Sequence, residues 1–134
     1  MKRFLLVVFL ITTIVLTACN KSNGTENVEE IAPVPAEFAG RTNPLGEDAA
    51  LAGADIFDGY CASCHGESGH GDGPAGASLE PAPKNLAELQ TQVGDDYLFW
   101  RISTGKPGTS MVAWQGILTD EQIWQVAAFI RTLK

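Results

Sequence analysis

Residues that bind metal ions well are scarce in this chain. Its 134 residues include three cysteines and two histidines. Cys61, Cys64 and His65 stand together, and only Cys19 and His70 remain elsewhere. Because a structural zinc site takes about four cysteine or histidine ligands, this composition argues against zinc. The group of Cys61, Cys64 and His65 is then the chemically distinctive part of the sequence.

Basic residues are also few. The chain has 9 Lys and Arg against 16 Asp and Glu, which gives a formal net charge of -7 at pH 7. An acidic surface is repelled by nucleic acid and by anionic lipid. We therefore expect no nucleic-acid partner. We expect any protein partner to carry a basic docking patch, with an association that weakens as the salt concentration rises.

Long apolar runs are limited to one, at residues 4–16. It is shorter than the roughly 18 or more apolar residues of a membrane-spanning helix. Lys2 and Arg3 precede it and small residues end it at Cys19, which is typical of a secretory signal peptide. The sequence therefore predicts a signal peptide over residues 1–18, with an uncleaved membrane anchor as the alternative.

The four residues that end at Cys19 read Leu-Thr-Ala-Cys and resemble a bacterial lipobox. The resemblance implies that Cys19 becomes the mature N-terminus and carries a diacylglyceryl group. Lipidation would also account for an odd cysteine in an exported chain, for which a free or intermolecularly paired thiol is the alternative. We expect an extracytoplasmic protein, on the periplasmic or outer-surface side, anchored to a bacterial membrane through Cys19.

Residues 19–45 are rich in Asn, Ser, Gly, Thr, Glu and Pro. This composition predicts a flexible tether between the lipid and a domain that starts at residue 46. A flexible chain of this length spans roughly 25 to 30 Å. Phe38 and Leu45 are apolar exceptions, and the sequence leaves open whether they pack on the domain or on a partner.

The group Cys61-Ala62-Ser63-Cys64-His65 reads C-x-x-C-H, the pattern of a haem held by two thioether bonds. Two thiols at this spacing can add to the two vinyl groups of one porphyrin, and the adjacent imidazole then becomes an axial iron ligand. A thioredoxin-like dithiol would need a βαβ setting, whereas the surrounding sequence is helical in pattern. The motif predicts one covalent haem c.

Helical patterns flank this motif. Small and apolar residues recur at three- and four-residue steps over residues 48–60, and Gly53 among them indicates the close approach of another backbone. Thr119 and Gln122 form a capping box at the start of a last helix. Further helices are expected after Asn85, with Leu86, Leu89 and Val93; between Gly94 and Gly105, with Leu98 and Ile102; and after Thr119, with Ile123, Val126, Ala127, Ile130 and Leu133.

Two stretches rich in glycine and proline are predicted as loops. His70 lies in the first, only five residues after His65, and we expect an exposed loop histidine there instead of a second iron ligand. Met111 lies in the second and is the only methionine left once the signal is removed. A methionine opposite histidine gives low-spin iron with a raised reduction potential. The alternative for Met111 is a residue that fills a gap in the core.

A second-shell hydrogen bond to the histidine of the motif is also expected. Pro81 and Pro83 follow the first loop, and the carbonyl of a proline there can accept the Nδ1 proton of His65. Such a bond selects one imidazole tautomer and raises the basicity of the other nitrogen.

Five groups of residues follow one another from residue 46 onwards. They are Gly53-x-x-x-Phe57-x-x-x-Cys61-x-x-Cys64-His65-Gly66, Gly71-Asp72-Gly73-Pro74, Trp100-Arg101-Ile102-x-x-Gly105, Thr109-x-Met111 and Trp124-Gln125-Val126-Ala127-Ala128-Phe129-Ile130-Arg131. In this combination and order they resemble the motifs of the class I c-type cytochromes. The resemblance implies a small all-α cytochrome c fold over residues 46–134, with three to five helices around one haem.

The same resemblance implies particular roles. Met111 would be the sixth iron ligand, and Phe129 would pack near Gly53. Val112 stands where the family often has a proline, which implies a looser ligand loop. Trp100, Arg101 and Trp114 fall where relatives often place groups around the haem propionates or the pocket wall, with ordinary packing as the alternative.

For function, the resemblance implies an electron carrier and not an enzyme. Transfer would be outer-sphere, in a respiratory or photosynthetic chain, and the protein would be a shuttle or the haem subunit of a membrane complex. A quinol-oxidising complex or a terminal oxidase is a candidate partner. The alternatives are a haem peroxidase or gas sensor in which Met111 dissociates, and a structural lipoprotein in which the motif is accidental.

Overall fold

The computed structural model describes residues 31–46 and 48–134, and Ala32–Lys134 form one compact unit. These residues contain five α-helices and no β-strand, as expected for a small all-α fold. The helices are α1 (Ala49–Tyr60), α2 (Ala62–His65), α3 (Leu86–Leu89), α4 (Asp95–Thr104) and α5 (Asp120–Ile130), with a 3-10 turn at Gly76–Ser78. The predicted signal peptide, Cys19 and the tether up to residue 30 lie outside the described residues.

The main packing contact joins α1 to α5. A Cβ atom at Gly53 would lie 2.5 Å from the carbonyl carbon of Gln125 and closer still to its oxygen. The rings of Phe57 and Phe129 lie 5.0 Å apart beside this crossing. The expected close approach at Gly53, with Phe129 near it, is therefore confirmed. Only glycine allows the two backbones to come this near.

Helices α4 and α5 pack against each other and run antiparallel. The Phe99 ring stacks on Trp124 with centroids 4.2 Å apart, and the Arg131 guanidinium pairs with Asp95 at 2.8 Å. Because Asp95 begins α4 and Arg131 follows α5, the start of one helix lies beside the end of the other. The buried core comprises Phe57, Ala62, Leu86, Ala87, Leu98, Phe99, Ile102, Leu118, Ile123, Trp124, Val126, Ala127, Ile130 and Leu133.

The predicted helix ends are mostly confirmed. Thr119 and Gln122 form a reciprocal capping box, and α4 ends at Gly105 with φ 67°. Val93 was expected in α3 but lies beyond it, because the helix ends at Leu89 and the chain continues in turns. Leu133 likewise follows α5, yet it is buried. Within the described residues, no helix has the length and apolar character needed to cross a membrane.

The compact unit includes residues before the predicted haem domain, since it begins at Ala32. Residues 32–45, called the strap from here on, pack on the helices. Phe38 and Leu45 both lie against the core, so the structure answers the open question of where these two apolar residues dock. Composition alone suggested a tether here because hydrogen bonds to other elements leave no mark in the sequence.

Candidate haem site

The C-x-x-C-H residues form a single helical turn directly after α1. Cys61 caps the end of α1, its N–H donating to Phe57 O at 2.8 Å, and the N–H groups of Cys64 and His65 donate to Cys61 O at 3.1 and 2.9 Å. Residues three and four apart on a helix share one face. Cys61, Cys64 and His65 therefore lie together on one face of the turn, although Cys61 itself precedes α2.

The glycine-rich loop after this turn folds back onto its carbonyl groups. Gly66 ends α2 with φ 79°. Ala75 N then donates to Ser63 O at 2.8 Å, and Gly73 N donates to Cys64 O at 3.2 Å. A Cβ atom at Gly73 would lie 2.5 Å from Ser63 O, so no other residue fits there. The loop was predicted from composition, but its role as a support for the haem-binding turn was not.

A main-chain carbonyl orients the imidazole of His65. Its Nδ1 lies 3.2 Å from Lys84 O. The sequence predicted that a proline carbonyl accepts this proton, and that prediction was wrong. The acceptor is the carbonyl of the residue after Pro83, because Pro83 O faces Gly71. With the proton on Nδ1, the lone pair of Nε2 is free to bind iron.

Burial keeps this imidazole neutral. Desolvation lowers the pKa of His65, against the smaller opposing effect of the hydrogen bond to Lys84. Because only a neutral imidazole has a lone pair to donate, the lowered pKa extends the ligand-competent form to more acidic pH.

One of the two cysteines has a shifted pKa. Burial, and secondarily the nearby Cys64, raises the pKa of Cys61 to about 12. Thiolate is the form that binds zinc and attacks disulfides, so this raised pKa disfavours both a zinc half-site and a redox dithiol. Cys61 and Cys64 are free and half-buried. Across the described part of the chain, no three His, Cys, Asp or Glu side chains are grouped to hold a metal ion.

Met111 lies in a tight loop that follows α4. Lys106 N donates to Met111 O at 3.0 Å, and Met111 N donates to Thr109 Oγ1 at 3.2 Å. Gly105 allows this arrangement, since a Cβ there would lie 2.5 Å from Met111 O. Met111 is half-buried and does not belong to the buried core. Its position disfavours the alternative of a gap-filling core residue.

An aromatic contact joins the end of α1 to the segment that follows Met111. The rings of Tyr60 and Trp114 meet edge to face at 5.4 Å, and Trp114 N donates to Ile102 O of α4 at 3.1 Å. Tyr60 precedes Cys61, and Trp114 follows Met111 by three residues. The end of α1 and the methionine loop therefore lie at the same end of the molecule, a pairing that no local pattern predicted.

Two further residues from the sequence analysis have defined surroundings. Arg101 lies 3.8 Å above the ring of Trp100. Its Nε is buried, and none of the described residues accepts a hydrogen bond from it. His70 is exposed, with Nε2 3.2 Å from Lys134 O, as expected for a loop histidine.

Comparison with known proteins gives the family. The model described as "Cytochrome C oxidase, cbb3-type, subunit III" matches residues 48–130. Cytochrome c6 of Synechococcus elongatus is 35% identical over 78 residues, which cover 58% of this chain and 83% of that protein. The chain is a monohaem class I c-type cytochrome. Membership shows that this cytochrome holds one covalently attached haem c and functions as an electron carrier.

Solved structures support the same fold. The KustC0563 c-type cytochrome superposes with a TM-score of 0.53 at 23% identity, over 61% of this cytochrome and 96% of that chain. A chain of the Kuenenia stuttgartiensis reducing HAO-like protein complex Kustc0457/Kustc0458 gives 0.55 at 22% identity, over 75% of this cytochrome. The cytochrome spans about half of that chain, at 47%.

The side chains at the turn fit a covalent haem. Cys61, Cys64 and His65 lie on one face of the turn, burial favours the thiol form of Cys61 and the neutral form of His65, and Nδ1 of His65 donates to Lys84 O. The unpartnered Nε of Arg101 is a donor of the kind that a buried carboxylate needs.

Proposed function

We propose that this cytochrome is a lipid-anchored electron carrier on the outer side of a bacterial membrane. Cys61 and Cys64 would attach the haem, and His65 and Met111 would be the ligands of its iron. Cys19 carries the lipid. The observation that supports the haem assignment best is the single turn that holds both thiols and His65, with Nδ1 oriented by Lys84 O at 3.2 Å.

The residues of the chain keep the site unchanged while an electron passes. Bound haem supplies an iron that alternates between the ferric and ferrous states without any bond to a substrate. The hydrogen bond from Nδ1 of His65 holds the imidazole plane, and the closed turn that contains Met111 limits the movement of its sulfur. Little rearrangement is then needed between the two oxidation states. The unpartnered Arg101 Nε would be available to donate to a haem propionate.

The redox partner is either a separate protein that the cytochrome reaches by diffusion or another subunit of the same membrane complex. The matching family model is named for a subunit of a cbb3-type oxidase, and one structural neighbour belongs to a reducing HAO-like complex. The family name supports electron transfer to or from an oxidoreductase complex, in a respiratory or photosynthetic chain. A quinol-oxidising complex and a terminal oxidase are the two candidate partners. The cytochrome would be a subunit of such a complex or a shuttle between complexes.

Docking would use the surface at the haem end of the molecule. Tyr60, Val112 and Ile117 are 49%, 57% and 60% exposed, and the contact between Tyr60 and Trp114 brings their segments together. Asp120 and Glu121 are exposed close by at the start of α5. An apolar centre beside carboxylates suits a partner with a basic docking patch.

Glu121→Gln is expected to slow oxidation of the ferrous protein by the cation tris(phenanthroline)cobalt(III) about threefold at low salt, because one steering charge is lost. Oxidation by the anion ferricyanide should become faster, and both effects should fade at high salt. Stopped-flow absorbance measures the rates. Glu37→Gln, the same charge change on the exposed part of the strap, is the control, and equal behaviour of the two variants would contradict the proposed docking surface.

A reductive titration of the membrane fraction, followed by absorption spectroscopy, tests the proposed function directly. We expect a c-type haem spectrum, a methionine-to-iron charge-transfer band in the ferric state and reversible one-electron reduction. Loss of the protein from the membrane fraction would contradict the lipid anchor but not the haem or the electron-carrier function. Absence of the methionine band, with rapid binding of carbon monoxide, would favour the peroxidase or sensor alternative. A colourless product from a host that attaches haem would contradict the whole proposal.

A further inference from the structure

The strap is tied to the start of α4 by two main-chain N–H groups. Gly40 N donates to Asp96 Oδ2 at 2.8 Å, and Asn43 N donates to Asp95 Oδ2 at 3.1 Å. Both carboxylates lie in the first turn of α4, where the helix dipole favours negative charge. Asp95 also accepts from Arg131 Nε at 2.9 Å. The same carboxylate therefore joins the strap, α4 and the end of α5.

A second group of contacts lies on the aromatic face of α4 and α5. The Phe38 ring lies 6.3 Å from Phe99, which itself stacks on Trp124. The Arg41 guanidinium lies 5.0 Å from the Phe38 ring centre and 5.4 Å from that of Phe99. The strap thus covers apolar surface that α4 and α5 would otherwise leave open to water.

Asn43 connects these contacts to the start of α1. Its Nδ2 donates to Trp124 O at 2.8 Å, and its Oδ1 accepts from Leu45 N at 3.0 Å. Leu45 packs against the core shortly before α1 begins. The side-chain amide of Asn43 therefore donates one hydrogen bond to α5 and accepts one from the strap itself.

We propose that the strap is a fixed end of the membrane tether, which shortens its free length and joins the anchor to the face formed by α4 and α5. The effect on membrane reach rests on the proposed lipid at Cys19. Docking of residues 32–45 would shorten the predicted tether to 12 residues, a length for which a flexible chain spans roughly 20 Å instead of roughly 25 to 30 Å.

The consequence concerns which surface meets a partner. The strap contacts α4 and α5 through Phe99, Asp95, Asp96 and Trp124, while Tyr60 lies at the far end of α1 from the strap. Helix α1 has 12 residues, about 18 Å from end to end. The strap therefore leads into the end of α1 that is opposite Tyr60, and the Tyr60 side of the proposed docking surface stays accessible while the protein is held near the membrane.

Limited trypsin digestion of the full-length haem protein in its membrane fraction tests this inference. In the proposed mature chain, which begins at Cys19, trypsin has one site before the strap, after Lys21, and one inside it, after Arg41. A docked strap resists cleavage, since a protease needs the chain to open locally. We expect the released haem domain to begin at Ser22 by intact mass. Release of a domain that begins at Thr42 would overturn the strap while leaving the lipid anchor standing.

The double variant Phe38→Ala with Asn43→Ala should make cleavage after Arg41 at least tenfold faster. Ala39→Ser, an exposed strap position, is the matched control and should behave as the wild type. An unchanged haem spectrum and reduction potential will show that the site has stayed intact in each variant. If the protein is soluble before digestion, lipid anchoring fails, and the same masses still decide whether the strap is docked. Equal cleavage after Arg41 in all three proteins would contradict the proposal.

Discussion

Met111→Ala is expected to abolish the methionine-to-iron band of the ferric protein and to lower its reduction potential by on the order of 0.1 V. The reason is that thioether ligation stabilises ferrous iron, and axial ligands set haem potentials over a range of roughly 0.8 V. The loop geometry at Met111 supports this expectation, because its backbone is held on both sides by hydrogen bonds to Lys106 and Thr109. Absorption spectroscopy and a redox titration measure the two effects.

Two further variants separate ligation from general damage to the loop. Val112→Ala changes an exposed neighbour and should keep both the band and the potential. Met111→His should restore low-spin iron, with a potential that stays below that of the wild type, because imidazole favours ferric iron more than thioether does. If Met111→Ala retains both the band and the potential, another residue is the sixth ligand.

Gly53→Ala is expected to destabilise the fold by at least about 2 kcal/mol, in the upper part of the range for overpacking a core. The added Cβ would meet the backbone of Gln125 at 2.5 Å from its carbonyl carbon. A backbone carbonyl cannot rotate away as a side chain can, so α1 and α5 must separate. Because α1 leads directly into Cys61, we also expect a lower yield of protein with attached haem.

Gly59→Ala is the matched control for this variant. Gly59 lies in the same helix, and a Cβ there would have no neighbour within 4 Å. The change should stabilise α1 by up to about 1 kcal/mol through helix propensity alone. Urea unfolding followed by circular dichroism gives both free energies. Similar effects in the two variants would mean that the crossing of α1 and α5 is not as close as described.

Local patterns in the sequence were sufficient wherever the interacting residues are neighbours along the chain. The capping box at Thr119, the end of α4 at Gly105 and the turn from Cys61 to His65 each depend on residues within four positions of one another. The loop around Met111 is nearly as local, with contacts over five and six positions between Lys106 or Gly105 and Met111. Such features follow from backbone geometry and hydrogen bonding over one turn, which is why they could be read directly.

Pairings between distant parts of the chain could be anticipated only where a residue type is restrictive. Gly53 predicted a close helix crossing, because a glycine inside a helix is costly without a reason. Nothing comparable marks Lys84, whose main-chain carbonyl orients His65, since any residue can supply a carbonyl. Of the two prolines that the sequence offered, Pro83 differs from Lys84 by a single position, which the path of the loop decides.

The amino-acid sequence by itself determined that this protein holds a covalent haem in a small helical domain, because the chemistry of thioether attachment and helix capping is local. Only the tertiary structure decided that the loop at Gly73 supports the haem-binding turn, that Tyr60 meets Trp114 and that residues 32–45 pack as a strap. These contacts join main-chain groups and common side chains far apart in the sequence. Their partners are selected by the packing of the whole domain and leave no periodic or compositional mark.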